Sequence, residues 1–265
     1  ALSACAASPP PSSAPSASAT PMPAATVSPG PAVDRSPERI VAPPTRPAPP
    51  VLVAAYRPDL VPDHCADRDL AAPPAVDEAL AVLDRSYALP AAYAPGDLVA
   101  ASAAGLTGAS GTKLVRAVIV DDLAAMADAW KAAGLTIEIE SAYRSYASQA
   151  ATFDSWVVRL GLAGAMSRTA RAGHSEHQLG TALDLTSPGW SGRFGDWAVE
   201  SDEGAWMAAN GWRYGFVMSY PPDGEETTCF SYEPWHYRWI GRDRAAEHRD
   251  SGLDLRRFLE RYVET

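Results

Sequence analysis

The sequence predicts an α+β domain, helices packed on a small antiparallel sheet, carried behind a long unstructured lead segment. Three observations predict it. Of 24 prolines, 14 fall in the first fifty positions, whereas all eight tryptophans lie from Trp130 onward. Helix-period apolar spacing dominates residues 116–160, and strand-period alternation clusters mostly after it. That segregation favours an antiparallel sheet over the alternating order of a parallel one.

In chain order, residues 1–50 are Pro, Ala and Ser with no periodic apolar positions, and too little burial is on offer there to offset chain entropy. This is a disordered tether. At its start, Leu2-Ser3-Ala4-Cys5 resembles the bacterial lipobox, in which the cysteine is lipidated once an upstream signal peptide has been removed. Lipidation at Cys5 is therefore expected, with the Pro-rich spacer holding a domain off a membrane. The expected location is the cell envelope, on the extracellular face as a lipoprotein, or secreted. Residues 51–75 read as a linker or extension, and 76–265 as a single domain. In an exported protein Cys65 and Cys229 can pair, stapling the extension to the loop before "SYEPWH", or remain two buried thiols.

From Arg116 to Ala133 the residues Ile119, Leu123, Met126, Ala127 and Trp130 recur at three and four, with Gly134 as a stop, which predicts an amphipathic helix. "LTIEIES" then alternates Leu135, Ile137 and Ile139 against Thr136, Glu138 and Glu140, the period of a half-buried strand. Ser145 can cap a second helix that buries Ala150, Phe153, Val157 and Leu160 and ends near Gly161. "TALDLT" reads as a strand, with Leu183 and Leu185 on one face and Ala182, Asp184 and Thr186 on the other. A short helix capped by Ser201 and stopped near Gly211 precedes strand-like "WRYGFVMSY", a turn at "PPDGEE", and strand-like "SYEPWHYRWIG".

Net charge is −10 and the sequence pI is about 4.9. No Lys/Arg cluster is interleaved with aromatics, so a nucleic-acid partner is not expected. No apolar run reaches the roughly 18 to 20 residues of a membrane span. No Ser-x-x-Lys is followed by the companion motifs of serine-type wall enzymes.

The chemistry-bearing stretch is "GHSEHQLGTALDL", which holds two histidines, a glutamate and an aspartate. A hydrolytic zinc site takes three protein ligands and leaves a position for water. His177 and Asp184 form a two-ligand unit if Gly180 lets the chain bend the histidine back toward the strand. The chain has five histidines, and His236, in "EPWHYRW", is the candidate third ligand. Glu233 lies three residues before it, where a base for a zinc-bound water is wanted. On a flat strand residues three apart face opposite ways, so Pro234 must break the ladder. Arg144 precedes a helix N-terminus, where guanidinium and backbone N–H groups can together hold a carboxylate or an oxyanion. Ser148 and Gln149 are candidates for lining the same pocket. His174 reads as structural, and Glu176 as a loop residue or a partner that orients a neighbour. Trp235, Tyr237 and Trp239 read as core and pocket wall.

"SEHQLGTALDL", "YEPWHYRWIG" and "SAYRSYASQ" together resemble the motifs of VanY-type D-alanyl-D-alanine carboxypeptidases, zinc peptidases of the superfamily that includes VanX dipeptidases and Hedgehog-like domains. The resemblance runs from about Asp77 to Leu259. It implies a Hedgehog/D,D-peptidase-like fold, one Zn2+ held by His177, Asp184 and His236, Glu233 as base, and Arg144 on the substrate. The implied substrate is a peptidoglycan stem peptide ending in D-Ala, and a monomer is expected. Ser219 departs from the pattern, since arginine is frequent there. An L,D-carboxypeptidase, a D,D-dipeptidase or an endopeptidase could use the same metal site. A non-catalytic zinc-containing wall-binding module is the alternative from another class.

Overall fold

The computed structural model describes residues 65–106, 108–190 and 194–263; Cys5 and nearly all of the lead segment lie outside them. In chain order the elements are strands β1 (Leu70–Ala71), β2 (Tyr87–Ala88), β3 (Leu98–Ala100) and β4 (Leu114–Arg116), helix α1 (Val120–Ala132), β5 (Glu138–Ser141) and α2 (Tyr146–Met166). Then come β6 (Ala182–Thr186), α3 (Trp197–Glu200), α4 (Asp202–Asn210), β7 (Phe216–Met218), α5 (Glu225–Thr228), β8 (His236–Trp239), α6 (Arg242–Ser251) and α7 (Leu255–Leu259). The main sheet has the order β5-β6-β8-β7, and every neighbouring pair in it is antiparallel. This is a mixed helix-and-sheet architecture of the expected class.

One face of the sheet builds the core. Leu123, Met126, Ala127 and Trp130 of α1 are buried with Ile139, Leu183, Leu185, Phe216, Tyr237 and Trp239 in one cluster. The period-3.6 and period-2 patterns meet there because each element buries the stripe that its own geometry presents. Alternation along β6 then forces Asp184 to the opposite face, and this face is buried too. A strand buried on both faces with a carboxylate at its centre places charge where it must find partners.

Several boundaries differ from the periodic reading. The helix expected from Arg116 begins at Val120, because residues 114–116 pair as a strand with β3 and a 3-10 turn, Ala117–Ile119, intervenes. The expected strand "WRYGFVMSY" shrinks to β7, since Gly211–Tyr214 winds as a 3-10 turn that ends on left-handed Gly215. Helix α2 does not bury the predicted stripe: Ala150, Phe153 and Val157 are half-buried, and Leu160 is 49% exposed. It docks through Gln149 near its start and Ala165 and Met166 at its end, and the middle lies along the surface. Gly161 breaks it at φ 72°, where the sequence placed its stop.

The extension is part of the described fold from Cys65 onward. Strand β1 pairs in parallel with β2, Ala75 bridges Val263, and Cys65 is disulfide-bonded to Cys229 with Cα atoms 5.4 Å apart. His174 fastens the same segment. Its Nδ1 contacts the Asp84 carbonyl at 2.7 Å and its Nε2 the Asp69 carboxylate at 3.1 Å, so this buried histidine joins two parts of the scaffold.

Candidate metal centre

Three local devices bring the predicted residues together. The first is the turn Glu176–Leu179, a 3-10 helix ended by Gly180 at φ 73°. A left-handed residue there reverses the chain and aims His177 back over β6, which only glycine permits cheaply. The second is register: in the β6–β8 ladder Asp184 lies directly opposite His236, and facing residues put their side chains on the same side of a sheet. The third is the bend before β8, where the His236 N–H donates to the Glu233 carbonyl at 3.1 Å. That turn, with Pro234 inside it, removes the obstacle that a flat strand would have posed for Glu233 and His236.

The resulting cluster is tight and buried. One ligand atom each from His177, Asp184 and His236 lie within 4.8 Å of one another, and all three residues are buried. His177 Nδ1–H donates to the Ala142 carbonyl at 2.7 Å, which leaves Nε2 with a lone pair. That Nε2 lies 3.1 Å from Asp184 Oδ2, yet it is buried and makes no hydrogen bond. His236 Nε2–H donates to Glu176 Oε2 at 2.9 Å, and its Nδ1 faces Asp184 Oδ1 at 3.0 Å. Two imidazole nitrogens therefore converge on one carboxylate, and in the neutral ring form all of these atoms are acceptors.

Such an arrangement needs a cation in its middle, a proton or a metal. Burial lowers the His177 ring to about 4, with the Arg144 charge in support and Asp184 opposing. It is neutral, as a metal ligand must be. Burial also works against charge on His236, but hydrogen bonds to Asp184 and Glu176 outweigh it and push this ring up to about 10. The Asp184 carboxyl would be raised by burial, but the two histidines hold it well below the usual range. Two imidazoles and a carboxylate, with their remaining ring nitrogens engaged by acceptors, are the donor set and support that zinc takes. The residues fit that ion.

Glu233 sits beside this trio, its Oε2 3.9 Å from His236 Nδ1. Burial raises its carboxyl to about 8; Asp184 and Glu176 add to the rise, while His236 and Arg144 oppose it. Its backbone N–H is held by the Tyr220 carbonyl at 3.0 Å, and the Tyr220 ring packs 4.9 Å from that of His236. Arg144 is positioned by its own backbone, whose N–H donates to the His177 carbonyl at 3.2 Å. Its Nε is buried without a hydrogen-bond partner, and its charge reaches both His177 and Glu233.

Ser148 and Gln149 lie in the first turn of α2, just after Arg144. Ser148 is exposed on the first turn of α2, where its backbone N–H is capped by Ser145 Oγ at 3.2 Å. Gln149 is fully buried, and its Nε2 donates to the Ala170 carbonyl at 2.7 Å and to Thr169 Oγ1 at 3.3 Å. In this arrangement its amide nitrogen ties down the loop after α2.

The sequence reading passed over Arg238 and gave no role to Ser219. Arg238 is fully buried and donates to Glu176 Oε1 at 2.8 Å, while Ser219 Oγ donates to Glu176 Oε2 at 2.6 Å. The signal was present in part: on the pleat of β8, Arg238 is two residues from His236 and so shares its face.

Residues 112–242 match the family described as VanY, D-alanyl-D-alanine carboxypeptidase. YodJ of Bacillus subtilis, a carboxypeptidase by assignment, is 34% identical over 183 residues, 69% of this chain and 67% of that protein. A D-alanyl-D-alanine carboxypeptidase of Enterococcus faecalis is 34% identical over 141 residues, half of each chain. Among solved structures, the LdcB LD-carboxypeptidase has a TM-score of 0.62 at 34% identity, covering 70% of this chain and 87% of its own. A VanY D,D-pentapeptidase mutant from a VanB-type resistance cassette, in complex with Zn(II), has a TM-score of 0.58 at 29% identity, covering 69% and 99%. By the family match and by its likeness to these peptidases, this protein belongs to the VanY D-alanyl-D-alanine carboxypeptidase family.

Proposed function

We propose that this protein is a zinc-dependent D,D-carboxypeptidase that removes the terminal D-alanine from peptidoglycan stem peptides. The observation that carries the reading is the convergence of His177 Nε2, Asp184 and His236 Nδ1 in one buried cluster, with the Glu233 carboxyl alongside. Zinc held by these three residues would supply Lewis acidity toward a water and toward the scissile carbonyl. Glu233 takes the proton that the attacking water gives up and returns it to the leaving amine. A single carboxyl beside the ligand trio can carry out both transfers in turn. Arg144 offers its guanidinium to the substrate's terminal carboxylate or to the developing oxyanion. Support comes from the Zn(II) complex of the VanY relative and from the VanYB structure in complex with D-Alanine-D-Alanine.

A second reading, L,D-carboxypeptidase action on a tetrapeptide, is favoured by the likeness to LdcB, which exceeds that to the VanY mutant in both identity and TM-score. Mass spectrometry of products from a defined pentapeptide, tetrapeptide and D-Ala-D-Ala dipeptide separates the readings. D-Ala release from the pentapeptide, lost with a chelator and restored by zinc, is the expected result. Release from the tetrapeptide alone would move the assignment to the L,D bond, and bound zinc with no turnover would favour a wall-binding module.

The same reading places the domain outside the cell, tethered through residues 1–50 and lipid on Cys5. Replacing Cys5 with Ala should then shift the protein from the membrane fraction to the medium.

A further inference from the structure

We infer that Glu176 is a positioning residue of the metal centre: clamped by Arg238 and Ser219, it fixes the ring of His236 so that Nδ1 is presented to the ion. The inference rests on the proposed zinc reading and adds to it a residue outside the ligand trio. Glu176 belongs to the turn that carries His177, is 5% exposed, and has both carboxylate oxygens engaged. Oε1 receives Arg238 Nη1 at 2.8 Å; Oε2 receives Ser219 Oγ at 2.6 Å and His236 Nε2 at 2.9 Å.

The clamp is anchored to backbone. Arg238 is fully buried and its Nη2 donates to the carbonyls of Ala79 and Ala81, each at 2.7 Å. The guanidinium therefore cannot swing away from Glu176 without leaving buried donors and acceptors unpaired, which costs far more than a surface ion pair is worth. Ser219, just after β7, closes the third side. With Nε2–H committed to a carboxylate, the lone pair of the neutral imidazole is on Nδ1, the atom that faces Asp184. A carboxylate acceptor behind a ligating imidazole also makes the ring a better donor. Glu176 thus links the loop that supplies the first ligand to the strand that supplies the last.

The test measures zinc affinity by competition with a chromophoric chelator on the full chain and on Glu176→Gln, Ser219→Ala and Glu233→Gln, with folding checked by circular dichroism. Glu176→Gln should weaken zinc binding about 10- to 100-fold and regain turnover when zinc is raised, whereas Glu233→Gln should keep the parent affinity and stay inactive. Ser219→Ala, which removes one neutral hydrogen bond, should weaken binding about two- to fivefold, and it decides the matter if Glu176→Gln does not fold. A folded Glu176→Gln with affinity within twofold of the parent overturns the inference, as does an unaltered Ser219→Ala should the glutamine variant not fold. If the parent chain binds no zinc, the metal reading itself fails and this inference falls with it.

Discussion

At the scale of single residues, the site works through unequal environments for chemically similar groups. Glu176, Asp184 and Glu233 are all carboxyls of one cluster, yet Glu176 is held down to about 2 and Glu233 is pushed up to about 8. Burial would raise both; Glu176 escapes because the Arg238 charge and hydrogen bonds from His236 and Ser219 outweigh it. Replacing Glu233 with Gln should therefore cut turnover by about 10²- to 10⁴-fold while leaving zinc bound, measurable by kinetics beside metal content. A second consequence concerns pH. Metal-free folded protein keeps a proton on Glu233 up to about pH 8, whereas the unfolded chain releases it above the ordinary value of 4.5. Unfolding then releases a proton, so this group's contribution to stability falls as pH rises between those values, by at most about 1.4 kcal/mol per pH unit. In chelator, Glu233→Gln should gain stability relative to the parent from pH 5 to pH 8 in denaturant titrations. A constant gap would mean that the carboxylate is already ionised in the fold.

At the scale of elements, the decisive piece is the reversal between the 3-10 turn and β6. Gly180 sits at φ 73°, and a Cβ there would come within 3.0 Å of Arg116 Cγ and 3.1 Å of Leu98 Cδ2. Its carbonyl also receives the Arg116 N–H at 2.9 Å, so the turn is gripped from outside. Gly180→Ala should cost about 1 to 3 kcal/mol in urea unfolding and weaken zinc binding as His177 swings off its line. A loss below about 0.5 kcal/mol would show that the turn relaxes freely. The β6–β8 register has the same importance, because a slip of one residue would turn Asp184 or His236 to the core face.

At the scale of the whole molecule, a bond spanning 164 positions joins Cys65 to Cys229. Cys229, the left-handed cap of α5, leads into Phe230, whose ring packs 5.2 Å from Tyr220, and Tyr220 packs on His236. The early segment is thereby tied to the loop that delivers Glu233. Replacing both cysteines with serine should lower stability by about 2 to 4 kcal/mol and the melting temperature by about 5 to 15 °C, as calorimetry would record. An unchanged melting temperature would mean that the ion pair of Arg171 with Asp69 and the His174 contacts already fix the segment.

Sequence by itself determined the α+β class, the helix α1 and the β6 alternation, because those rest on local periodicity that tertiary packing reinforced. It also determined the candidate trio and Glu233, since His177 and Asp184 are close in the chain and Glu233-x-x-His236 is a compact unit. Tertiary structure alone decided that Asp184 faces His236 across a ladder, that Cys65 meets Cys229, and that the apolar stripe of α2 is only half-buried. It also turned Glu176, Ser219 and Arg238, three polar residues spread over sixty positions, into one buried clamp. Register and burial are set by contacts between distant segments, and a carboxylate carries no mark in the chain of whether an arginine will fold over it.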